Sequence, residues 1–194
     1  MMSYETLPDG HGEIFNVDLQ KDKKIMLLIN GAAFVIAIVM VIVGGFFVPI
    51  SAFFDTEGGI FMLAVRFFAV AVLSIAYIVL HEAVHAVVMK LCGTKKVKFG
   101  FTGLYAFAGS SDYYPKLPYI AIALAPVVLW GIVLGVICLI VPREWFWVVY
   151  ILQVSNISGA VGDYYVTLKF MKMPGDILVK DCGTQMTVYS ADYK

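Results

Sequence analysis

Charge is scarce in this chain: 14% of its 194 residues are Asp, Glu, Lys or Arg, against about 25% in an ordinary soluble domain. The charge that is present cancels, with 14 basic and 14 acidic residues. The basic excess by which nucleic-acid binders release counterions is therefore absent, and no nucleic-acid partner is expected. Disorder is excluded too, because it requires low hydrophobicity, whereas 61% of this sequence is hydrophobic. Cysteine is rare. Cys92, Cys138 and Cys182 follow neither metal-ligand nor disulfide spacing, so they read as free thiols. No repeat of fixed period and no low-complexity linker is found. The basic start and early apolar core of a signal peptide are missing as well, and a polar tail carrying Glu5, Asp9, Glu13, Asp18 and Asp22 comes first. The first apolar segment is therefore expected to stay in the mature protein.

What the sequence has is long apolar runs. A bilayer core of about 30 Å takes roughly 20 apolar residues in a helix, which satisfies its own backbone polar groups. Four stretches meet that length, from about Ile25 to Phe47, Phe67 to Met89, Tyr119 to Val141 and Trp147 to Leu168. The expected fold class is an all-α membrane protein, four transmembrane helices with short cytoplasmic β-hairpin segments. It reads as one domain over 1–194, with a cytoplasmic tail at 1–24, a four-helix membrane core at 25–172 and a C-terminal segment at 173–194.

Orientation follows from the basic residues, which accumulate in cytoplasmic loops. Lys21, Lys23 and Lys24 precede the first span, Lys90, Lys95, Lys96, Lys98 and Lys116 surround the loop between spans two and three, and Lys169, Lys172, Lys180 and Lys194 follow span four. The opposite side has Arg143 and, at its edge, Arg66, read as a snorkelling anchor. Both termini are thus expected to be cytoplasmic. In the loop between spans two and three, Val97, Phe99 and Phe101 alternate with Lys96, Lys98 and Gly100 before Thr102-Gly103, the pattern of one hairpin arm, with a second from Leu104 to Ala108. Residues 177–180 and 185–189, flanking Asp181-Cys182-Gly183, suggest another hairpin.

One motif carries chemistry. His81-Glu82-Ala83-Val84-His85 lies inside span two and holds two of the chain's three histidines. At 3.6 residues per turn, positions i and i+4 share a helix face, so both imidazoles can reach one zinc ion, and Glu82 beside them can take a proton from water and deliver it to a leaving amine. Polar residues merely tolerated in a helix are the competing explanation. Three ionisable groups within five apolar-helix residues are costly in a membrane, however, and such groups mark sites.

A catalytic zinc takes three protein ligands. Asp163 is the carboxylate inside span four. His85 lies five residues before Lys90 and Asp163 six before Lys169, so both sit about 8–9 Å inside the cytoplasmic ends of their helices. Asp112 and Asp176 are weaker candidates, being in polar loops. Asn156, seven residues before Asp163, is on the same helical face and is a candidate catalytic residue that would hold a substrate carbonyl or developing oxyanion; an interhelical hydrogen bond is the alternative. Pro126 in span three is expected to kink its helix.

With these residues in place, the chain resembles the site-2-protease-like intramembrane zincins, and more closely a bacterial family of zincin membrane peptidases. The likeness runs from the lysines before span one to the Asp-Cys-Gly segment. His81, Glu82 and His85 match the zinc motif, and the Asn156-to-Asp163 stretch resembles the second motif, although site-2 proteases usually carry Asn-Pro-Asp-Gly or Leu-Asp-Gly where this chain has Val-Gly-Asp-Tyr. The resemblance implies a multi-pass protein of the bacterial cell membrane and a zinc-dependent endopeptidase acting on membrane-associated protein or peptide substrates near the cytoplasmic face. A catalytically silent zinc-binding protein that regulates a partner is the other expectation. A peptidase substrate must be extended, so the Lys96-to-Ala108 segment is expected to offer it a strand edge; lysines contacting lipid headgroups are the plainer reading.

Overall fold

Four helical runs of the computed structural model are long and apolar enough to cross a bilayer: α1 (Lys23–Phe47), α2 (Gly59–Leu91), α3 (Lys116–Ile140) and the run Arg143–Met171. The described residues are 3–18, 21–56, 58–103 and 105–191; Leu104 and Lys194, named above, lie outside them. None of the most apolar stretch of α1 is buried against the chain, and Leu27, Phe34, Phe46 and Phe47 stand exposed. Side chains of this kind forgo roughly 1.5–3 kcal/mol each when left in water, so α1 presents an apolar surface that the chain itself does not cover.

The last run is not one helix. After a 3₁₀ turn come α4 (Phe146–Gly159) and α5 (Val161–Met171), separated at Ala160 with φ −85° and ψ 15°. The hydroxyls of Ser155 and Ser158 donate back to the carbonyls of Ile151 and Val154 at 3.0 and 2.7 Å, which loosens the helical ladder before the break. The break leaves Asp163 in the first turn of α5, where unpaired N–H groups and the helix dipole favour a carboxylate.

The fold is mostly helical, and small antiparallel sheets accompany the helices. The strands among the described residues are β1 (Gly12–Asp18), β2 (Val97–Phe101), β3 (Ala106–Ser110), β4 (Tyr113–Pro115), β5 (Leu178–Asp181) and β6 (Gln185–Ser190). β2 and β3 form the expected hairpin, with Val97 opposite Ser110 and Phe101 opposite Ala106. The C-terminal hairpin is there too, but it is the centre of an antiparallel sheet of order β1-β6-β5-β4. β1 lies within the polar segment 1–24 expected to be a tail, and it pairs instead with β6 from Gly12↔Ser190 to Asp18↔Gln185.

The chain divides into two compact units, Met1–Ile29 with His81–Pro126 and Gly162–Lys194, and Asn30–Leu80 with Val127–Val161. In the first, one face of the four-stranded sheet is apolar in rows that cross the strands. Phe15, Val188, Val179 and Tyr114 form one such row, and the last three are fully buried. Met89 of α2, Tyr119 and Ile122 of α3, and Val166 and Phe170 of α5 complete this core. The sheet face is thus covered by the helical segments that carry the candidate ligands. In the second unit, Phe53, Phe146, Trp147 and Val148 cluster. Arg66 is not a solvent-facing anchor: it is buried and donates to the carbonyls of Phe53 and Asp55 at 3.1 and 2.7 Å.

Candidate metal centre

α2 contributes His81 onward to the first unit. One turn separates His81 from His85, and their ring centroids are 5.0 Å apart. Asp163 of α5 faces both, its Oδ2 3.6 Å from His81 Nε2 and its Oδ1 3.7 Å from His85 Nε2. One donor atom from each residue lies within 4.8 Å of the others. Donors on a tetrahedral zinc with bonds near 2.1 Å are about 3.4 Å apart, close to the two distances from Asp163 to the imidazoles.

The chemistry of the donor set points the same way. His85 Nδ1 lies 2.8 Å from the carbonyl oxygen of Ile122. A carbonyl only accepts, so Nδ1 carries the proton and donates it, and the neutral ring turns the bare lone pair of Nε2 toward Asp163. The carboxylate also offers only lone pairs. His85 Nε2 and the Asp163 carboxylate, acceptors that face one another at 3.7 Å, are stabilised by a cation between them, and two imidazole nitrogens with one carboxylate suit zinc.

Glu82, between the histidines in sequence, accepts a hydrogen bond from the backbone N–H of Ala108 in β3. β3 is pinned in place by glycines. The Phe107 ring lies against Gly100 and Gly183 so closely that a Cβ on either would collide with it, and a Cβ on Gly109 would come within 2.6 Å of the Cys182–Gly183 backbone. Gly183 has φ +105°, a conformation suited to glycine.

That turn positions a carboxylate which the sequence reading took for a turn residue. Asp181 shares a cross-strand row with Val17 and Met186, so the register drives it into the core, where it is buried. Its Oδ2 accepts from the Tyr119 hydroxyl and its Oδ1 from the Gly183 N–H, both at 2.7 Å. Burial pushes its pKa up to about 6, against the lowering effect of these two donors; the negative charge of Asp163 adds to the rise.

The other candidates lie elsewhere. Asp176 accepts from the Ser190 hydroxyl and the Ala191 N–H at 2.8 Å, bonds that hold its pKa down. Asp112 follows β3, its N–H donating to Ser110 Oγ. Neither belongs to the metal-holding group found among the described residues. Asn156 belongs to the second unit, fully buried, with Oδ1 accepting from the Tyr77 hydroxyl at 2.8 Å and Nδ2 donating to the Val127 carbonyl at 3.2 Å.

Residues 74–178, more than half the chain, match the family described as "Putative zincin peptidase". The chain belongs to that family. The matched stretch takes in His81, Glu82, His85 and Asp163. The chain is also similar to an uncharacterized 24.7 kDa protein of Pyrococcus woesei, at 36% identity over 124 residues covering 58% of this chain and 50% of that protein. It thus spans about half the length of that curated relative. No solved structure matches it.

Proposed function

We propose that this zincin is a zinc-dependent endopeptidase of the His-Glu-x-x-His type that cleaves membrane-associated proteins or peptides near the cytoplasmic face, in the manner of site-2-protease-like intramembrane zincins. The observation that carries this reading is the placement of the Asp163 carboxylate opposite Nε2 of both histidines, on a helix different from theirs. Zinc held by His81, His85 and Asp163 supplies a Lewis acid for the scissile carbonyl and for water. Glu82 takes the proton of the attacking water and delivers it to the leaving amine. The Ala108 N–H fixes the Glu82 carboxylate for that work.

The same bond indicates where an extended substrate fits. Because the Ala108 N–H is turned to Glu82, it points away from β2, and Ala106, two residues back, shares that orientation. With the Ala108 N–H taken by Glu82, β3 offers the Ala106 N–H as a donor on the edge beside the general base, and a substrate strand added there would run past Glu82. Phe99 and Phe101, paired with Ala108 and Ala106, turn their own N–H groups to the opposite edge of the hairpin.

The four-stranded sheet supports the proposed orientation. It draws β1 from before α1, β4 from between α2 and α3, and β5 and β6 from after α5, the lysine-bearing segments, so we place it on the cytoplasmic side. For Asn156 we favour the bundle-holding role over the oxyanion role, since both ends of its amide are engaged.

Glu82→Gln tests the reading. It should leave zinc content unchanged, measured by elemental analysis of purified protein, and abolish cleavage of a membrane-anchored peptide. Cleavage at the wild-type rate would refute the assignment, while zinc uptake with no cleavage by the wild type would favour the silent alternative.

A further inference from the structure

α3 contains Pro126 in its interior, eight residues past Pro118. In an α-helix the N–H of residue i donates to the carbonyl of residue i−4. Proline has no N–H, and its ring crowds that same carbonyl. The carbonyl in question belongs to Ile122. It is the one that accepts the Nδ1 proton of His85, at 2.8 Å. Ile122 and Pro126 are both fully buried, where an unmet backbone acceptor is costly. The histidine thus occupies a carbonyl that the proline has released, and the carbonyl dictates which ring nitrogen keeps its proton.

We propose that Pro126 is a positioning residue for the metal site: by withholding an N–H from the Ile122 carbonyl, it makes that carbonyl the acceptor that locks His85 in its Nδ1–H tautomer with Nε2 aimed at Asp163. This rests on the zinc reading above and extends it to the shell behind the ligands, where partners of metal-bound histidines set ring orientation and ligand basicity. It also gives the proline a role that a kink alone does not. An alanine at 126 would return an N–H to the helix ladder, and the Ile122 carbonyl would be drawn back along the helix axis and away from the imidazole.

The test uses the full chain in detergent, stripped of metal by chelation, with ¹⁵N-labelled histidine. Wild-type His85 should show the shifts of an Nδ1-protonated neutral ring; an Nε2-protonated ring would overturn the proposal without any variant. Pro126→Ala should shift His85 toward a mixture of tautomers and weaken zinc, titrated against a competing chelator, by roughly 10–100-fold. Pro126→lactic acid, introduced as a backbone ester, lacks both the ring and the N–H and should keep the wild-type tautomer and zinc affinity. Unchanged His85 signals and zinc affinity in Pro126→Ala, or a loss in the ester variant as large as in Pro126→Ala, would overturn the proposal. If the wild type takes up no zinc, the zinc reading fails, and the tautomer comparison still decides the role of Pro126.

Discussion

Asp181→Asn should make the protein more stable above neutral pH and leave it unchanged near pH 4. Burial raises the Asp181 pKa from 3.8 to about 6, so the folded state holds this proton more tightly than the unfolded chain does. A raised carboxyl pKa stabilises the fold only while the group is protonated. That contribution is full below about pH 4 and is lost as pH rises through about 6. About two units at 1.36 kcal/mol each amount to roughly 3 kcal/mol by pH 8. Asparagine copies the protonated acid: Oδ1 can keep the Gly183 N–H, and Nδ2 can donate to the Tyr119 oxygen. The Tyr119 proton then has Met186 Sδ, already at 3.2 Å, as its acceptor. Unfolding followed by tyrosine and tryptophan fluorescence of metal-free protein in detergent at pH 4, 6 and 8 measures the difference. Metal must be absent because the Asp163 charge contributes to the raised pKa. A gain for Asp181→Asn that grows with pH, reaching roughly 6–12 °C in Tm at pH 8, is expected. A gain of equal size at all three pH values, or a loss at pH 8, would refute the argument.

Other outcomes follow from the same geometry. Asp163→Ala should lower the zinc content of purified protein, whereas Asp112→Ala and Asp176→Ala should not; full occupancy in Asp163→Ala would remove it from the ligand set. Gly183→Ala meets both a positive φ and the Phe107 ring and should cost roughly 2–4 kcal/mol of stability, read from denaturant midpoints; a cost below 1 kcal/mol would mean that the turn relaxes freely. Ala106→Pro removes a donor from the β3 edge beside Glu82, so cleavage should slow by about tenfold, while Phe99→Pro on the far edge of the hairpin should have little effect. The opposite order would place the substrate on β2.

Features set by local physics were legible in the sequence. The spans follow from uninterrupted apolar length, and the histidines from the i, i+4 spacing. Asp163 stood out as the carboxylate inside the fourth apolar stretch, and counting in from the lysines put it level with His85. The β2–β3 hairpin showed in the alternation of Val97, Phe99 and Phe101 with polar neighbours. What stayed hidden depends on distant partners. Gly12–Asp18 alternates poorly, and its pairing partner is at the other end of the chain. Asp181 in Asp-Cys-Gly has the chemistry of an exposed turn, and only its register beside Met186 and Val17 makes it a core carboxylate. The break at Ala160 leaves no apolar gap, since its cause is the serine hydroxyls and the glycine before it. Pro126 was legible as a proline inside a helix, but its connection to His85 requires the packing of the His85 turn against Ile122.

The pairing of β1 with β6 has a consequence for how the molecule is made. Gly12 is synthesised 178 residues before its partner Ser190. At 5–20 residues per second, β1 waits roughly 10–35 s for its neighbour. Through that interval all four long apolar runs are made and the central strands of the sheet do not yet exist. Asp163 likewise reaches the ribosome exit long after His81 and His85, and the Asp181 turn that steadies β3 follows later still. The protein therefore matures from a chain with an unfinished centre, and the order of synthesis itself leaves the candidate ligands without a closed sheet until β6 is made.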